Sequence, residues 1–265
     1  MNIGFIGGGR MAEAIVASLL DRQVVLREHL HIADISEERL SLLRDTYGVV
    51  TTADSRGVLD ACDIVFLAVK PQNLQELSLA VGSAVRPAHL FISIAAGKRT
   101  AWLKDAFRGA RVVRVMPNVA AFVGASMNVF TCGGDISDDE AQTVCRLLGS
   151  FGETLELPEA LFDAVTAVSG SGPAFVAYVL RAMAAAGEAE GLAPDAALAL
   201  AQQTMLGTVR LLKERNMSCE ALIDAVSSPQ GTTVAGMEVL RGSDVGEVMR
   251  DVIGAAAQRS RELSG

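Results

Sequence analysis

Residues 3–6 (IGFI) are apolar on both faces of any strand they form, and they break at once into Gly7, Gly8 and Gly9. Helical spacing follows directly, with Met11, Ala12, Ile15, Val16, Leu19 and Leu20 along one face. A strand apolar on both faces has to be covered on both, which a parallel sheet flanked by helices achieves. The pattern recurs in apolar runs at 30–33, 64–69, 90–94 and 112–116, alternating with helical periodicity. Two further runs, 126–132 and 153–157, separated by a helix over 138–148, extend the sheet. Right-handed crossovers between such units build a doubly wound, mostly parallel α/β sheet.

Beyond Pro158 the strand pattern stops. Phe175, Val176, Val179, Leu180 and Met183 form one helical stripe, and Leu198, Ala201, Met205, Val209 and Leu212 form another. Segments 218–226, 232–241 and 244–263 also have helical spacing. Two domains are therefore expected, an α/β domain over 1–157 and an all-α domain over 158–265. Helices rich in Ala and Gly and apolar on more than one face are expected to complete their core against a second copy; packing on the chain's own first domain is the competing arrangement.

Composition excludes several classes. With 23 basic and 31 acidic residues the formal charge is −8, which argues against general binding to the nucleic-acid backbone. Cys62, Cys132, Cys145 and Cys219 form no CxxC and have no His at ligand spacing, so no metal site and no disulfide framework is expected. That pattern suits a reducing, cytoplasmic setting. The N-terminus has no basic n-region of a signal peptide, and the most apolar later stretch, 172–187, is interrupted by Arg181 and reads as too short to cross a bilayer.

Gly7-Gly8-Gly9-Arg10-Met11-Ala12 spells G-x-G-x-x-A between a strand and a helix, the context in which that spacing binds dinucleotides. Gly7 permits the tight turn, Gly9 lets backbone approach a pyrophosphate, and Ala12 allows close helix–strand packing. The helix N-terminus adds free N–H groups and a positive dipole end. Residues 1–157 thus read as a Rossmann domain for a nicotinamide cofactor. Asp34, closing the second strand, suits the adenosine ribose diol and opposes a 2′-phosphate, which leans the choice to NADH; its alternative role is to cap the helix beginning near Ser36. Arg39 and Arg10 are the basic candidates for a 2′-phosphate.

Ala68-Val69-Lys70-Pro71 lies at the carboxyl edge of the sheet, where such folds bind ligands. Pro71 holds Lys70 extended, facing either cofactor or solvent. The small residues of 93–97, Ala95 among them, leave room for a flat ring, and Asn118 after Met116-Pro117 offers a polar contact.

In the helical half, Ser227-Ser228-Pro229-Gln230-Gly231-Thr232-Thr233 separates two helices. Its hydroxyls and helix-opening N–H groups form either an anion site suited to a small carboxylate or an ordinary capped turn. Ser169-Gly170-Ser171-Gly172-Pro173 interrupts the first helix of that half, as a kink or as room for a ligand. His29, His31 and His89 lie before or at strands, and no nucleophile elbow or paired-acid motif is present. A reductase without a dedicated acid–base residue fits a protonated imine, already electrophilic and needing mainly positioning.

These residues resemble the pyrroline-5-carboxylate reductases nearly end to end: FIGGGRMAEAI at 5–15, FLAVKPQ at 66–72, SIAAG at 93–97, RVMPN at 114–118, SGSGPAFV at 169–176 and ALIDAVSSPQGTTVAGMEVL at 221–240. The resemblance implies a Rossmann domain followed by an all-helical domain interlocked with a second chain, with larger rings of dimers in some members. It implies hydride transfer from NAD(P)H to the C=N carbon of 1-pyrroline-5-carboxylate, giving L-proline. By the same resemblance Ser228, Gly231 and Thr232 hold the substrate carboxylate, and the Thr233 hydroxyl acts catalytically near the ring nitrogen. Gly7, Gly8, Gly9, Arg10, Met11, Ala12, Asp34, Ala68, Lys70, Pro71 and Asn118 would contact the cofactor, with Val69 and Ala95 lining its path. Three positions depart from the family's usual pattern: Val119-Ala120 for Thr-Pro, Gln230 for the first of two glycines, and Phe175 for tyrosine. Such changes fit a related cyclic imino acid as the alternative substrate. A β-hydroxyacid dehydrogenase would need a lysine between Pro158 and Ala189, where there is none, and a non-catalytic nucleotide-binding protein would bind cofactor without turnover.

Overall fold

The structure is a computed structural model that describes residues 1–264. Strands β1 (Ile3–Ile6), β2 (Leu30–Ala33), β3 (Val50–Thr52), β4 (Ile64–Leu67), β5 (Leu90–Ser93), β6 (Arg111–Met116), β7 (Ser126–Cys132) and β8 (Gly152–Glu156) form one sheet in the order β3-β2-β1-β4-β5-β6-β7-β8. Only β7 against β6 is antiparallel. The chain leaves β1 toward β2 on one side and later returns to β4 on the other, so the strand order reverses beside β1 and opens a crevice at its carboxyl end.

Both faces are covered. Helices α1 (Arg10–Asp21), α2 (Glu37–Tyr47), α3 (Ser55–Ala61), α4 (Leu74–Val81), α5 (Thr100–Ala106) and α6 (Asp138–Leu148) connect the strands. Ile3 and Phe5 pack with Ile15 and Leu19 of α1 and Leu147 of α6, while Ile6, Val65 and Leu67 pack with Val58, Leu74 and Leu103. Phe5 and Phe66 stack across β1 and β4 with ring centroids 4.7 Å apart. At roughly 1.5–3 kcal/mol for each large side chain buried, this double layer explains why the central strands are apolar at successive positions.

The run read as 64–69 pairs only to Leu67; Ala68–Lys70 leave the sheet and enter a 3-10 turn at Pro71–Asn73. β3 escaped the sequence reading because it is a short edge strand, VTT, with no apolar run to find.

After β8 come α7 (Phe162–Val165), α8 (Gly172–Ala189), α9 (Pro194–Arg215), α10 (Cys219–Val226), α11 (Thr232–Arg241) and α12 (Val245–Ser264). The chain forms two compact units: Met1–Ser171 together with the chain from Ala256 onward, and Gly172–Ala255. In the first unit, Glu159 Oε1 accepts hydrogen bonds from the Thr100 N–H (2.7 Å), the Thr100 hydroxyl (2.9 Å) and Arg114 (3.0 Å). Arg114 also lies over the Phe162 ring, and Ser260 of α12 donates to Asp163 at 2.6 Å. The glycine-rich 169–173 segment is a widened turn: residues Thr166–Gly170 form a π-helical turn in which the Ser171 N–H reaches back to the Thr166 carbonyl at 2.8 Å.

In the second unit the buried side chains among the described residues are Ala184, Ala197 and Ala201, where α8 and α9 meet. The 172–187 stretch belongs to a longer helical run, Glu159–Ala189, of 31 residues; by length and composition that run could cross a membrane, which corrects the sequence reading of it as too short.

Candidate active site

The glycine turn is built from three converging strand ends. Gly7 N–H donates to the Ala33 carbonyl and Ala68 N–H to the Ile6 carbonyl, each at 2.8 Å. Gly7 has φ +103°, and a Cβ there would stand 2.7 Å from the Ala68 carbonyl carbon, so the backbone just beyond β4 requires glycine. Gly9 differs, since a Cβ on it would meet nothing within 4 Å. Among the described residues nothing demands glycine at that position, and the open space leaves room for a phosphate to approach the backbone. Gly9 is also the N-cap of α1 and supplies no side-chain bond, leaving the first-turn N–H groups open. Ala12 is buried against the sheet, Met11 packs half-buried beside it, and Arg10 stays exposed with its guanidinium 5.4 Å from the Phe122 ring centroid. These features fit a dinucleotide pyrophosphate on the turn.

Asp34 reaches the same turn. Its carboxylate accepts from Gly8 N–H at 2.6 Å and from Ser36 N–H at 2.9 Å, while the α2 cap itself is the Ser36 hydroxyl. Arg39 does not point free. Its Nε donates to the Gly8 carbonyl (2.9 Å) and its Nη2 to Glu13 Oε2 (2.7 Å). Tyr47 donates to the other Glu13 oxygen at 3.4 Å; burial, and then Glu13, push the Tyr47 hydroxyl above its usual value. Sequence reading missed Glu13 and Tyr47. The signal for Glu13 was its place immediately after Ala12 on the fingerprint helix.

Along the carboxyl edge, Ala68 and Val69 are half-buried and Lys70 is exposed, in the extended conformation that Pro71 imposes. Ala95 is buried behind Ser93. Asn118 is engaged at both ends: Oδ1 accepts from Ala120 N–H at 3.0 Å, and Nδ2 donates to the Ser169 hydroxyl at 3.2 Å. The tie to Ser169 joins two motifs that the sequence presents separately. Val119, Phe122 and Val123 beyond it are exposed. Burial pushes the Cys62 thiol up to about 12 and Cys132 up to about 11, so neither is a nucleophile at neutral pH. Among the described residues no cluster of three His, Cys, Asp or Glu could hold a metal ion.

The second cluster lies within Gly172–Ala255. Gln230 takes the left-handed φ of +59° that glycine adopts without strain, so this departure from the family pattern keeps a glycine-like turn. Gly231 N–H donates to the Ser228 carbonyl at 2.9 Å, and a Cβ at Gly231 would sit 2.9 Å from that same oxygen. Gly231 is the N-cap of α11 and makes no side-chain bond. The capping role open to Ser228 and Thr232 in the sequence is not used. Among the described residues the hydroxyls of Ser228, Thr232 and Thr233 form no hydrogen bond, and Thr233 is half-buried.

The family model described as pyrroline-5-carboxylate reductase dimerisation matches residues 159–263, and that described as NADP oxidoreductase, coenzyme F420-dependent, matches residues 2–97. A pyrroline-5-carboxylate reductase of Synechocystis sp. is 38% identical over 264 residues, covering 99% of this chain and 98% of the relative. A solved pyrroline-5-carboxylate reductase of Coxiella burnetii superposes with TM-score 0.95 at 30% identity, covering 100% of this chain and 98% of that one. The Plasmodium falciparum pyrroline carboxylate reductase solved with NADP bound shares the fold, with TM-score 0.88 at 24% identity and coverage of 100% and 98%.

Proposed function

The chain belongs to the pyrroline-5-carboxylate reductase family, and from that premise we propose how its residues divide the reduction of 1-pyrroline-5-carboxylate to L-proline. It is an NAD(P)H-dependent oxidoreductase. The Gly7–Ala12 turn and the open first turn of α1 hold the pyrophosphate, Asp34 takes the adenosine ribose, and Ala68–Pro71, Ala95 and Asn118 border the nicotinamide. A bound reduced nicotinamide supplies the hydride. Ser228, Gly231 and Thr232 grip the substrate carboxylate with hydroxyl and backbone donors, and Thr233 hydrogen-bonds the ring nitrogen. A protonated imine is already electrophilic, so these groups orient the C=N bond and exchange no proton of their own.

The observation that carries this division is the uncapped start of α11, with three hydroxyls and the first-turn N–H groups unspent on the protein itself. Asp34, bonded to the turn at 2.6 Å, supports a preference for NADH over NADPH. The dimerisation match and the sparse interior of Gly172–Ala255 support a homodimer, and four free cysteines support the cytoplasm.

Thr233→Ala tests the assignment. Loss of one hydrogen bond to a charged or charge-developing group should lower kcat by roughly 10- to 150-fold, about 1.5–3 kcal/mol, with cofactor Kd unchanged. Unaltered turnover would make Thr233 an ordinary helix residue.

A further inference from the structure

The ion pair beside the glycine turn has no part in that division of labour. Arg39 of α2 and Glu13 of α1 meet at 2.7 Å, with side chains only 25% and 23% exposed, so solvent does not screen the pair away as it does an open surface bridge. The guanidinium is held a second time by the Gly8 carbonyl, and Glu13 is braced in turn by the Tyr47 hydroxyl. The Gly8 residue that offers its carbonyl to Arg39 offers its N–H to Asp34. The residue nearest in type to a phosphate-binding arginine is therefore tied down at the same backbone unit that orients the ribose-reading carboxylate.

We infer that Glu13 is the positioning residue that sets cofactor choice: it holds Arg39 against the glycine turn and so withholds the guanidinium from the 2′ position that Asp34 reads. Two carboxylates and one guanidinium leave this corner net negative, which opposes a 2′-phosphate of nearly two negative charges. Removing Glu13 cancels the excess and frees Arg39, which can then offer bidentate donors to phosphate. The inference rests on the reading that the Gly7–Ala12 turn binds the dinucleotide and that Asp34 favours NAD.

Calorimetric titration of NAD+ and NADP+ into the full chain, its Glu13→Ala and Glu13→Gln variants, and Glu13→Ala combined with Arg39→Ala, tests it. The readout is the ratio of the two Kd values, which cancels losses of folded protein common to both titrations. Wild type should bind NAD+ more tightly. Glu13→Ala should move the ratio at least about tenfold toward NADP+, the size of one gained charge-assisted contact. Glu13→Gln, which keeps the volume and removes the charge, should move it part of the way. The gain should shrink with added salt and vanish when Arg39 is also removed. A ratio unmoved in both Glu13 variants, or a gain that survives loss of Arg39, overturns the role of Glu13 while the preference of the wild type stands. Tighter binding of NADP+ by the wild type overturns the Asp34 reading, and this inference with it; failure to bind either dinucleotide overturns the assignment of the turn.

Discussion

Two glycines in one turn carry opposite kinds of constraint. Gly7 is fixed by the chain, through its φ of +103° and the backbone of Ala68 and Val69 against it, whereas Gly9 faces open space. Gly7→Ala should therefore lower stability by about 2 kcal/mol or more, as a strained φ and a backbone clash add. Gly9→Ala should cost within about 1 kcal/mol, the difference between glycine and alanine at an N-cap, yet weaken dinucleotide binding by more than about tenfold. Chemical denaturation and cofactor titration of both variants separate the two; equal stability losses would show that the turn is constrained only by folding. At this scale the positions of the turn and of Asp34 were legible, because glycine spacing and a strand-end carboxylate leave a local trace. The restraint on Arg39 was not. An arginine one turn into a helix reads as a phosphate ligand until α1 brings Glu13 to it, and that meeting depends on how α1 and α2 pack.

Elements with strong periodicity were readable nearly to the residue: α6 at Asp138–Leu148 and α11 at Thr232–Arg241 match their apolar spacing. What periodicity hides is how an irregular segment is pinned, and Glu159 is the case in point. Burial alone would raise the value of its carboxyl, but the Thr100 N–H, the Arg114 guanidinium and the Thr100 hydroxyl outweigh it and hold it below its ordinary value of 4.5. Because the folded value lies under the unfolded one, the stabilisation is fully present above the unfolded value and is lost as acid carries the pH down through the folded one. Arg114 is almost fully buried, so Glu159→Gln leaves a charge without its partner. The variant should be less stable at neutral pH by about 2 kcal/mol or more, with the gap narrowing below about pH 4. Thermal unfolding of both proteins across that range measures it. A gap of constant size would assign the loss to packing and not to charge.

The whole molecule poses a problem of cover. Within Gly172–Ala255 the described side chains that are buried are three alanines, while Val176, Leu206 and Val209 are each more than half exposed. That interior is small for a unit of this size, which predicts that something else covers it. A bilayer could take Glu159–Ala189, but the exposed apolar residues continue onto α9 at Leu200 and Leu211 and onto α11 at Val239 and Leu240, beyond any single span. A second copy covering all of these faces at once is the arrangement that the dimerisation match supports; helices apolar on more than one side point to such an interface in the sequence, whereas a partner's placement leaves no local trace there. The protein should sediment as a dimer or larger at micromolar concentration, without vesicles. Leu206→Asp combined with Val209→Asp should shift it to monomer and, at about 3 kcal/mol lost, lower Tm by roughly 6–12 °C. Leu79→Asp, at a still more exposed leucine of α4 in the other unit, should change stability by no more than about 0.5 kcal/mol. If the α9 pair proves as silent as Leu79, its apolar face is ordinary surface and any dimer has to use another face.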